Sequence, residues 1–138
     1  MRLAILIAFI AYWLLLTVLL LVPNPAGLVG LSKVPIFPWG KFGIHLGFFT
    51  VLGLLANATR WPKLPWWPLT VFLVVYGITT ETLQLFVPHR TAQVIDAIEN
   101  ILGIAVGSAI YWLVLRLMQP NRAAKLVKYV READATGE

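Results

Sequence analysis

Residues 3–22 run for 20 positions without one charged side chain. A helix of that length rises about 30 Å, which matches the hydrocarbon thickness of a bilayer. The run stops at Pro23-Asn24-Pro25. A secretory signal usually has only about 7–15 apolar residues before a small-x-small cleavage site, and Asn24-Pro25-Ala26-Gly27 is not such a site. The segment therefore reads as a retained transmembrane helix.

Three more apolar stretches follow. Residues 42–58 carry His45 one turn inside, and residues 66–87 carry Glu81 and Gln84 near their far end. Residues 95–118 carry Asp96, Glu99 and Asn100 at their start and Arg116 near their close. Pro and Gly punctuate the joints at 23–27, 62–68 and 88, where chains turn. The expected fold is all-α, a polytopic membrane protein with four transmembrane helices in an up-down bundle over residues 1–118.

Composition supports lipid as the solvent. The chain is 59% hydrophobic and 12% charged, where a soluble domain carries about a quarter charged residues. This balance excludes a disordered chain, a basic soluble nucleic-acid module and an ordinary cytosolic enzyme. Cysteine is absent from the sequence, so disulfides, thiolate metal sites and cysteine nucleophiles are excluded.

Lys and Arg counts set an expected orientation. With the N-terminus inside, Arg2, Arg60, Lys63, Arg116, Arg122, Lys125, Lys128 and Arg131 are cytoplasmic, and Lys33, Lys41 and Arg90 are outside. That split places both termini in the cytoplasm of a multi-pass protein of the plasma (inner) membrane. Trp39 then suits an outer aromatic belt, and Trp61, Trp66 and Trp67 an inner one. Asn57-Ala58-Thr59 has the form of a glycosylation sequon but would face the cytoplasm. In the tail, residues 119–138, Ala123, Leu126, Val127 and Val130 recur at helical spacing. Arg122, Lys125, Lys128 and Arg131 flank them, a pattern suited to an anionic inner leaflet.

Ionisable groups inside membrane helices are costly and usually have a job. Here they gather at one end. Connectivity puts the start of the second helix, the end of the third and the start of the fourth on the same side. Lys41 and His45 lie four residues apart on one helix face, Glu81 and Gln84 three apart, and Asp96 and Asn100 four apart. Glu81 falls roughly 9 Å below the end of its expected helix and Asn100 about 7 Å below the start of its own. Arg90 stands on the loop above them. Gly103 and Gly107 continue the Asp96–Asn100 stripe as a small-xxx-small packing face. Gly43, Gly47 and Gly53 add similar surfaces on the second helix.

The string Glu81-x-x-Gln84-x-x-x-Pro88-x-Arg90, followed by Asp96-x-x-x-Asn100-x-x-Gly103-x-x-x-Gly107, resembles the VanZ-like membrane proteins. Lys41-x-x-x-His45 adds to the likeness, which covers the chain from Lys41 to Gly107. Gly40 stands where the family often has an acid, and His89 precedes Arg90 where glycine is common. The resemblance implies Lys41, His45, Glu81, Gln84, Arg90, Asp96 and Asn100 as motif residues. It also implies a link to reduced susceptibility to the glycopeptide teicoplanin, through the member that named the family. The family's biochemical activity is largely undefined.

The chemistry of these residues leaves several readings open. The sequence contains neither a phosphate-cradling Gly-rich loop nor an H-E-x-x-H helix. Ser32 and Ser108, the only serines, are outside the cluster. A metal site would need His45, Glu81, His89 and Asp96 to converge, which no spacing demands, so neither metal nor cofactor is expected. Lys41, Arg90, Glu81 and Asp96 nearly cancel in charge and could act as salt-bridge glue between three helices. Alternatively they recognise a cell-envelope lipid or its head group, with Arg90 as a planar fork for phosphate and Lys41 as a point charge. In that case Glu81 and His45 are the candidate acid and base. A third reading is an accessory subunit of a larger membrane complex, with Tyr12, Trp13, Tyr111 and Trp112 as partner contacts. The expected partners are membrane lipids and other membrane subunits, not nucleic acid. The best reading is non-enzymatic recognition of an envelope lipid.

Overall fold

The computed structural model describes residues 2–23, 43–59, 65, 67–90, 92–118 and 131; Lys41 and nearly all of the 119–138 tail lie outside the described residues. Among the described residues the regular structure is four helices: α1 (Arg2–Leu21), α2 (Ile44–Thr59), α3 (Trp67–Gln84) and α4 (Val94–Met118). By length and composition, α1 and α4 can cross a membrane; α2 is apolar but shorter.

The helix ends follow from local chemistry. Gly43 precedes α2 with φ +91°, a left-handed backbone that glycine adopts without a Cβ penalty. Pro68 sits in the first turn of α3, where a missing N–H costs nothing. The third segment, expected over 66–87, is α-helical only to Gln84. Beyond it the amides of Leu85, Phe86 and Val87 donate to the carbonyls of Thr82, Leu83 and Gln84 at 3.2, 3.0 and 3.0 Å. These i to i+3 bonds tighten the chain, because Pro88 disfavours α geometry at the residue before it. His89 then turns the chain with φ 61°. At the start of α4 the carbonyl of Gln93 accepts the amides of Asp96 (3.0 Å) and Ala97 (3.3 Å). Asp96 lies in the first turn, where the helix dipole favours an acid.

Contacts between the helices give their directions. Residue numbers rise together along α2 and α4, from Gly43 with Glu99, through His45 with Asn100, to Asn57 with Ser108. They also rise together along α1 and α3, from Trp13 with Phe72 to Thr17 with Tyr76. Along α3 and α4 they run oppositely, from Gly77 with Asn100 to Glu81 with Asp96, so the helices alternate up and down along the chain. The most extensive packing is between the parallel pair α2 and α4, which are not consecutive in sequence.

Glycine explains that seam. A Cβ on Gly103 would lie 2.6 Å from the Leu46 carbonyl oxygen and 2.8 Å from Phe49 Cβ. One on Gly107 would meet the Thr50 carbonyl and stand 2.7 Å from the Leu54 amide nitrogen. From the facing side, one on Gly53 would stand 2.8 Å from the Ile104 carbonyl oxygen. The backbones approach because these side chains are absent, as in small-residue membrane interfaces. Gly43 and Gly47, by contrast, face open space.

The distribution of polarity is inverted relative to a soluble bundle. Leu3, Ile7, Val71, Val75, Leu102 and Leu113 are among many exposed large apolar side chains. Glu81, Gln84, Glu99 and Asn100 are buried. So continuous an apolar exterior is a surface for lipid or for other protein. Hydroxyls follow the same logic: Thr50, Thr82 and Ser108 donate back to the carbonyls of Leu46, Ile78 and Ile104, four residues earlier in their own helices. A membrane requires that kind of internal satisfaction. Between α1 and α3, Trp13 meets Phe72 and Tyr76 edge-on at 5.7 and 5.8 Å, and between α1 and α2, Tyr12 donates to the Phe48 carbonyl at 3.0 Å. Both aromatics are therefore used inside the bundle.

Candidate functional site

The starts of α2 and α4 and the end of α3 meet at one end of the bundle. There, Asn100 is fully buried on α4 and ties three helices together. Its Nδ2 donates to the Gly77 carbonyl at 3.0 Å, and its Oδ1 stands 3.0 Å from His45 Nδ1. A carbonyl can only accept, so the amide orientation is settled by Gly77, and Oδ1 is left to accept from Nδ1–H of His45. Gly77 makes this possible, since a Cβ there would stand 3.1 Å from Asn100 Cβ.

Glu81 stands beside that pair, its Oε1 3.4 Å from His45 Nδ1. The Glu81 side chain is 6% exposed, and neither of its oxygens has a hydrogen-bond partner. Gln84, one turn on, is 2% exposed with Nε2 also unpartnered. Buried polar atoms are nearly always paired, so three open valences in one place need a reason. Asp96 completes the group: one ligand-type atom from each of His45, Glu81 and Asp96 lies within 4.8 Å of the others.

Two sequence expectations change. Arg90 was a candidate phosphate fork or a salt-bridge partner of Glu81 or Asp96. In the structure its Nε donates to the Val22 carbonyl at 3.1 Å and a terminal nitrogen to the Leu19 carbonyl at 2.7 Å. It caps the C-terminal end of α1, whose last carbonyls lack helical partners and carry the negative end of the dipole. Nε and one terminal nitrogen are thereby used on α1, and the glue they supply joins the α3–α4 loop to α1. The second change concerns metal. No spacing demanded convergence, yet His45, Glu81 and Asp96 do converge; His89 is exposed in the loop. Lys41 lies outside the described residues.

Glu99 was not among the expected site residues, although it is buried. Its carboxylate accepts the Gly43 amide at 3.2 and 3.1 Å and the Leu46 amide at 3.4 Å. It thus caps the N-terminus of α2 with a negative charge, where orphan amides and the dipole favour one. The signal was present, an acid within an apolar stretch. Spacing singled out Asp96 and Asn100 instead, and only the parallel docking of α2 shows what Glu99 meets. Gly103 and Gly107 lie one and two turns from Asn100 on the seam that holds α2 in register.

No curated protein and no solved structure matches the chain. The VanZ/LLP1 family model matches residues 6–116, all four helices and the whole polar cluster, and the chain belongs to that family.

Proposed function

We propose that this is a four-span membrane protein whose polar cluster holds the head group of a cell-envelope lipid at the outer leaflet. The observation that carries the reading is the set of unpartnered buried atoms, both oxygens of Glu81 and Nε2 of Gln84. Glu81 and Asp96 offer acceptors and Gln84 a donor, which suits a head group bearing hydroxyl or amine groups. Arg90 contributes by holding the rim closed on α1 rather than by gripping phosphate directly. The short helices α2 and α3, 16 and 18 residues, carry much of the cluster. Short spans are accommodated by local thinning of the bilayer, which brings head groups to the depth of the cluster. A role in glycopeptide susceptibility rests on the family likeness and follows if the lipid belongs to the wall-building machinery.

The eight-to-three distribution of Lys and Arg supports cytoplasmic termini and an outward-facing cluster. A cysteine introduced at the exposed His89 position is then labelled by a membrane-impermeant maleimide in intact cells. Labelling only after lysis reverses the orientation. For the ligand, the full chain is extracted in mild detergent and its retained lipids are identified by native mass spectrometry. The wild type should retain one lipid class that Gln84→Leu loses at unchanged helix content. Identical lipid complements in the two proteins would sink the head-group reading.

A further inference from the structure

The geometry points to a divalent metal site in the cluster, formed by His45, Glu81 and Asp96, with the Asn100 side-chain carbonyl as a fourth donor. Four observations carry it. First, the atoms are at the right separations. His45 Nδ1 lies 3.0 Å from Asn100 Oδ1 and 3.4 Å from Glu81 Oε1. Ligands about 2.1 Å from one ion are about 3.0 Å apart on an octahedral edge and about 3.4 Å on a tetrahedral one. Second, Asp96 brings its carboxylate within 4.8 Å of the His45 and Glu81 donors. Third, the Glu81 oxygens are buried and make no well-formed hydrogen bond among the described residues. Fourth, among the described residues two carboxylates meet one imidazole, and Arg90, the cation of the segment 67–90, donates to α1 instead. Like charges at this spacing disfavour each other, and a divalent cation removes that conflict.

The donor set selects the ion class. One imidazole with carboxylate and amide oxygens suits a first-row ion such as Mn²⁺ or Zn²⁺. No thiolate is available to favour softer ions, since the chain has no cysteine. Binding requires the neutral His45 ring to change tautomer: its one proton leaves Nδ1 and Nε2 carries it, which frees the Nδ1 lone pair for the ion with no net proton released by the ring. Asn100 keeps its amide nitrogen on Gly77, and that bond holds its carbonyl oxygen towards the ion. The site shares the Glu81 and Asp96 oxygens with the head-group reading but does not require it.

The test uses the full chain in detergent, stripped with a chelator and titrated with Mn²⁺ while the free-ion electron paramagnetic resonance signal is followed. Zn²⁺ serves as competitor. The expected result is one ion per chain. Asp96→Asn and His45→Gln should each weaken binding by more than the about tenfold typical of losing an outer-shell partner. Asp96 makes no side-chain hydrogen bond or ion pair among the described residues, so its variant tests the site with little beyond the helix-dipole interaction removed. Ser108→Ala, far along α4, should bind like the wild type. Helix content by circular dichroism is read for every variant. Absence of Mn²⁺ and Zn²⁺ binding by the wild type overturns the inference, and so does an unchanged affinity in Asp96→Asn. Loss of lipid retention without loss of metal, or the reverse, separates this site from the head-group proposal.

Discussion

Both ends of the bundle bury polar side chains, but they treat them differently. Towards the far end, Asn57 donates at 2.9 Å to both the Gly53 carbonyl and Ser108 Oγ, and Ser108 in turn donates to the Ile104 carbonyl at 2.8 Å. That is a closed network. At the near end, about 18 Å away along α2, Asn100 is satisfied while Glu81 and Gln84 are not. A cleft of about 380 Å³ opens beside Asn57, Ser108, Thr70, Ala105 and Trp112, yet its lining is largely apolar. Closed polar networks add packing specificity to a membrane bundle, whereas open valences at a burial cost are the feature on which the head-group and metal proposals rest.

The largest expected effect breaks both ends at once. Gly107→Val forces branched carbons against the Thr50 carbonyl and the Leu54 amide, and backbone cannot move aside as a flexible side chain can. Overpacking of this kind costs about 3 kcal/mol or more. Unfolding in mixed micelles should show it, and the Asn57–Ser108 and His45–Asn100 hydrogen bonds should break together. A variant of wild-type stability would mean that the α2–α4 seam is not the spine of the bundle.

A subtler pair of changes sharpens the contrast within the near end. Glu99→Gln removes the negative charge from the amides of Gly43 and Leu46 and should lower stability by about 2 kcal/mol, the scale of a hydrogen bond to a charged group. In chelator-treated protein Glu81→Gln should have no cost, or should stabilise slightly, because it removes an unpaired buried charge. Two acids within one cluster would then divide into a structural one and one held for a ligand. Equal losses of stability for both would erase the distinction and return the cluster to the role of glue.

Much of the architecture was legible from the residues alone. Charge-free length marked α1, and Pro and Gly marked the joints. The cost of polarity in lipid selected His45, Glu81, Gln84, Asp96 and Asn100 before any contact was visible. The end of α3 was misplaced by three residues because Pro88 acts backwards on the turn before it, an effect weaker than apolarity in a hydropathy pattern. Gly47 looked like Gly53 in sequence but faces open space, since a stripe of small residues does not say which of its members meets the partner.

The sequence by itself determined periodicity, apolar length and which polar groups share an end, because these depend on neighbours along one chain. Partner choice was decided only by tertiary structure. Arg90 was placed near the acids by connectivity, yet 68 and 71 positions back along the chain the carbonyls of Val22 and Leu19 stood closer to its donors. Glu99 and Asp96 are both acids in one stretch of helix, three residues apart. α2 docks parallel to α4, with the glycine seam setting its height, and gives Glu99 two helix amides while Asp96 joins His45 and Glu81. Hydrogen bonds and ion clusters are short-ranged, so a slide of about one helical turn in that register would exchange capped and open acids without altering the hydropathy pattern.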